Sequence, residues 1–159
     1  MYKNFLLMRN GCEGCTTETC LGVLLAESFD ARVTAVYVME DFTWQELRHL
    51  YGLDELKWPG AARSGKQAKE SAQTGKAALA SKALESAKQM CASRGIPCET
   101  VRLSSPSPLH GVRKLAADRR CDVIVSCAHP KGAVNMLSHA KPGKRIGDAG
   151  IPVLIHHAL

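Results

Sequence analysis

Cys121-Asp122-Val123-Ile124-Val125-Ser126-Cys127-Ala128-His129-Pro130-Lys131-Gly132 is the stretch whose reading decides the fold. An apolar strand, Asp122 to Val125, runs straight into a polar, basic loop, and a short helix with Lys144 and Arg145 follows. A last apolar strand, Val153 to Ile155 after Pro152, ends the pattern. In an open α/β sheet, ligands sit just past the carboxyl ends of the strands. The loop after Val125 is therefore where a site is expected.

Outward from that stretch, strands alternate with helices. Phe5 to Met8 is all apolar, as suits a central parallel strand covered on both faces. Gly11 and Gly14 break it, and Thr16 or Thr17 can cap a helix whose Leu21, Leu24, Leu25 and Phe29 recur at helical spacing. Arg32 to Val38 is rich in β-branched residues and predicts a second strand. A short helix over 43–50 and a mobile loop at about 52–66 are expected next. A long helix from about Lys66 to Ser93 follows, with Ala72, Leu79, Ala83, Ala87 and Met90 as its inner stripe, stopped by Gly95 and Pro97. Cys98 to Leu103 is a third strand. Ser107-Pro108 opens a helix burying Leu109, Val112, Leu115 and Ala116. A last helix over about 143–149 precedes the final strand. This alternation predicts an α/β fold with a parallel sheet and right-handed crossovers.

At 159 residues the chain is expected to be one domain with a full core. No apolar run approaches the roughly 20 residues that cross a bilayer. Phe5 to Met8 leads into Arg9-Asn10-Gly11 rather than a cleavage site, so a cytoplasmic location without membrane contact is expected. The formal charge of +6 is dispersed and mixed with acidic residues, without aromatic interleaving, which argues against nucleic acid as a partner. No Ser-His-Asp order, paired carboxylates or metalloprotease spacing is present, so hydrolytic chemistry lacks a nucleophile and the reading leans away from an enzyme.

Several fragments, in order, resemble the universal stress protein family. Tyr2-Lys3-Asn4-Phe5-Leu6-Leu7 is similar to its first strand, and Arg9, Asn10, Gly11 and Cys12 stand where that strand usually ends in Val-Asp-Gly-Ser. Pro106 matches the proline after its third strand, Asp122 to Val125 its Asp-Leu-Ile-Val, His129 its Gly-Ser-His position, and Pro152-Val153-Leu154 its Pro-Val-Leu. The resemblance implies a three-layer, doubly wound, five-stranded parallel sheet, Rossmann-like and of the adenine nucleotide alpha hydrolase type, in the order 3-2-1-4-5. It also implies a homodimer pairing through residues 153–157.

Nucleotide-binding members carry glycines whose backbone N–H groups approach phosphate oxygens. The corresponding positions here are Cys127, Pro130, Ala140 and Lys141. Pro130 has no N–H and a fixed φ, and the acidic residue expected at the adenosine end is Asn10. The resemblance therefore implies a regulatory or binding module of the stress response that does not hold ATP in the usual way. An altered adenine-nucleotide (ATP or AMP) site is the alternative, with Asn10, Gly11 and Val38 at the adenine end and Cys127, His129, Lys131 and Lys141 near phosphate.

Seven cysteines are a large and odd number, expected to be thiols or ligands rather than disulfides in the cytoplasm. In the implied topology Cys12 and Cys15 follow strand one, and Cys127 and His129 follow strand four, so the four converge. They form a set suited to zinc or another soft metal, with Cys20 and His139 as substitutes. Redox exchange at Cys12 and Cys15, or plain packing of Cys12 and Cys20, are the competing readings. His156 and His157 are a metal pair or an exposed pair. Cys91, Cys98 and Cys121 are expected in the core.

Overall fold

Phe5, Leu6, Leu7 and Met8 are all buried, on both sides of β1 (Asn4–Arg9), which places that strand at the centre of the sheet. The computed structural model describes residues 1–9, 15–40, 61–105, 108–128 and 150–157. Within them β1 is followed by α1 (Cys15–Ser28), β2 (Arg32–Glu40), α2 (Ala61–Ala92), β3 (Cys98–Ser105), α3 (Pro108–Asp118), β4 (Val123–Ala128) and β5 (Val153–His157). All neighbouring strands are parallel, in the order β3-β2-β1-β4-β5. This is the sheet the sequence implied. The helices expected over 43–50 and 143–149, and most of the loop expected at 52–66, lie outside the described residues.

Strand alternation divides the core into two layers. Phe5, Leu7, Val33, Val123 and Val125 meet Val23 and Ala26 of α1 and Cys91 of α2, while Ala35 and Tyr37 meet Ala80, Ala83, Leu84 and Ala87 of α2. On the opposite face Leu6, Met8, Val36 and Ile124 pack against Val112 and Ala116 of α3. Alanine at three of the five inner α2 positions, Ala80, Ala83 and Ala87, buries little area per residue, yet it lets the helix approach closely.

Both long stripes are met in part: Leu25, Phe29, Ala83, Ala87 and Met90 face the core as expected, and the other described members do not. In α1 the buried residues are Thr19, Gly22, Val23 and Ala26, whereas Leu21 and Leu24 are 36% and 42% exposed. In α2 the inner face is Ala80, Ala83, Leu84, Ala87 and Cys91, and Leu79 is 49% exposed. Large leucines attract a periodicity argument, but beside Leu84 it is small residues that face the sheet, while Leu21, Leu24 and Leu79 ride beside it. Helix α1 begins at Cys15, so Thr16 and Thr17 belong to its first turn rather than preceding it. Helix α2 begins at Ala61, earlier than the expected Lys66.

The three described helices end in the same way. Ile96 N–H donates to the Cys91 carbonyl at 2.9 Å and Gly95 N–H to that of Ala92 at 3.1 Å, with Gly95 at φ 68°. This is a Schellman stop, and Gly tolerates the left-handed conformation it requires. The same pair of bonds closes α1 through Ala31→Ala26 and Asp30→Glu27, and α3 through Cys121→Ala116 and Arg120→Ala117. There the left-handed position is filled by Asp30 (φ 49°) and Arg120 (φ 50°), both carrying a Cβ.

Asp122 lies one residue before β4 and acts as a clasp rather than a strand residue. Its carboxylate accepts the N–H groups of Lys3 at 2.6 Å and Asn4 at 2.8 Å, and Asp122 N–H donates to the Asn4 carbonyl. These bonds fix the start of β1 against the start of β4.

Candidate functional site

From β1 the chain crosses to β2 on one side, and from β4 it proceeds to β5 on the other. The carboxyl ends of β1 and β4 thus flank the point where the winding reverses, the expected crevice of an open α/β sheet. The register Phe5↔Val123, Leu6↔Ile124, Leu7↔Val125 holds these ends side by side.

Arg9, the last residue of β1, is 6% exposed, and its guanidinium donates to the Thr19 hydroxyl of α1. A cation thereby lies beneath the first turns of α1, at the end of the central strand. Its register partner Tyr37 is also buried, and burial pushes that phenol above its ordinary range. Sequence reasoning missed Arg9, because a charged residue ending an apolar run reads as the point where the strand meets solvent.

Of the residues expected at the site, Val38 and the backbones of Cys15 and Cys127 are described. Val38 is half-buried in β2, packs with the α3-side cluster and lies opposite Leu103 of β3. Cys15 is the first residue of α1 rather than a loop residue. Cys127 is not in the loop after β4, as expected, but inside the strand, opposite His156 of β5. The strand runs on because Ser126, Cys127 and Ala128 find ladder partners in Ile155, His156 and His157. Asn10, Gly11, Cys12, His129, Lys131 and Lys141 lie outside the described residues, as do Pro130, His139 and Ala140. Among the described residues no three His, Cys, Asp or Glu side chains gather to hold a metal, and no helix is long and apolar enough to cross a membrane.

No family model matches the sequence, and no curated protein is similar to it. Solved structures are. Universal stress protein UspA from Lactobacillus plantarum is 18% identical, with 99% of this chain and 98% of that one covered at a TM-score of 0.63. This is the universal stress protein fold. A universal stress protein family member from Burkholderia pseudomallei is 17% identical, covers 99% and 97%, and has a TM-score of 0.60. The universal stress protein from Archaeoglobus fulgidus in complex with dAMP is 13% identical, covers 97% of both chains and has a TM-score of 0.61. In each case the likeness runs over nearly the full length of both chains.

Cys91 and Cys121 are buried, as expected, and Cys98 is half-buried. Cys20 is exposed, with its thiol 3.9 Å from the Met90 sulfur, rather than packed inside. Cys121 is buried, and burial, followed by the nearby Asp122, pushes its thiol up to about 11. Cys91 and Cys98 pack against the same apolar layer, and the Cys98 thiol donates to the Glu99 carbonyl at 3.8 Å.

Proposed function

We propose that this chain is a regulatory binding module of universal stress protein type, without catalytic machinery, whose ligand crevice lies between the ends of β1 and β4. One observation carries the reading: the 3-2-1-4-5 parallel sheet sets those two ends side by side, as in the fold whose Archaeoglobus fulgidus example holds dAMP. The sequence that follows them carries Asn10 and Gly11 after β1 and His129, Pro130 and Lys131 after β4. Pro130, Ala140 and Lys141 lack the Cβ-free backbone that cradles a chain of phosphates, so ATP is a poor ligand. Calorimetric titration with ATP should give no saturable heat, corresponding to a Kd weaker than ~1 mM. Micromolar ATP binding would overturn this reading.

A nucleoside monophosphate is the second reading, favoured by the dAMP in the Archaeoglobus fulgidus structure. It needs only one phosphate contact, from Lys131 or Lys141, with Asn10 and Val38 at the adenine end. AMP titrated beside ATP distinguishes the two readings: saturable AMP heat, lost in Lys131→Ala, supports the second.

Assembly belongs to the same proposal. Strand β5 is at an edge of the sheet, with Leu154 39% exposed. An unpaired apolar edge is a liability that pairing with a second copy removes. Light scattering should give a dimer mass, and Leu154→Lys should shift it toward monomer; a wild-type monomer at high concentration would sink the idea.

A further inference from the structure

We draw no further inference here: the strongest candidate, the side-chain pair of Cys20 on α1 and Met90 on α2, is one exposed thiol beside a thioether, and nothing else among the described residues points to a ligand there.

Discussion

Gly22 is where α1 comes closest to the sheet, and it makes a sharp test of the packing. A Cβ built there would stand 2.5 Å from Leu7 Cδ2, with Leu7 Cδ1 and Val125 Cγ1 each at 3.5 Å. Leu7 is 2% exposed within the α1-side layer, so its methyl has little room to move. Two opposing effects meet in Gly22→Ala. Helix propensity favours alanine by about 1 kcal/mol, while overpacking costs about 1–3 kcal/mol. The net expectation is a loss of about 1 kcal/mol, in contrast to the gain an open helix site would give. Leu7→Ala alone should cost about 2–5 kcal/mol through lost burial and a cavity. In the double variant the new methyl enters the space Leu7 vacated and the propensity gain survives. The double loss should therefore be smaller than the sum of the singles by about 1 kcal/mol or more. Urea unfolding followed by far-UV circular dichroism, with all four proteins compared, reads these terms. Additive losses, or a Gly22→Ala protein more stable than wild type, would refute the close contact.

The helix stops give a prediction of opposite sign: Arg120→Gly and Asp30→Gly should each stabilise by about 0.5–1 kcal/mol, because a Cβ in the left-handed region costs more than the entropy glycine forfeits, and a fall in melting temperature would contradict it. Asp122→Ala removes the acceptor for two backbone N–H groups and should cost about 1–3 kcal/mol in urea unfolding; an unchanged midpoint would dismiss the clasp. The Cys121 thiol titrates at about 11 when folded against 9.0 ordinarily. Below pH 9 both states hold the proton and the contribution is whole. As pH rises from 9 toward 11 the unfolded chain loses its proton first, so about 2–3 kcal/mol drains away. Unfolding curves across that window should fall less steeply for Cys121→Ala, and identical slopes would reject the assignment.

The fold was legible because strand signals are local. Phe5 to Met8, Arg32 to Val38 and Val123 to Val125 each announce themselves, and their alternation with helices leaves few topologies. Helix faces were less legible: Leu79, Leu21 and Leu24 carry the strongest apolar signal, yet the sheet takes Ala80, Gly22 and Val23. What decides there is how closely two backbones can approach, which depends on the neighbouring strand as much as on the helix. For the candidate site, the topology supports a crevice between β1 and β4, while its residues were placed less well. Cys127 was expected past the strand end but is held in the ladder by β5, a partner distant in sequence. That Cys91 and Cys98 share one apolar layer depends on a turn geometry that composition alone does not display.

The sheet is joined unevenly. Strand β1 meets β2 from Asn4 to Arg9 but meets β4 only from Phe5 to Leu7, strands separated by well over half the sequence. Across that short seam a block of β1, β2 and β3 meets the pair β4 and β5, backed by the apolar clusters that Phe5, Leu7, Val123 and Val125 share on one face and Leu6, Met8 and Ile124 on the other. A molecule lodged across the ends of β1 and β4 would work as a rivet, slowing amide exchange in Val123 to Val125 without bending a single strand. Occupancy would then be read as the coherence of two halves rather than as a change of shape.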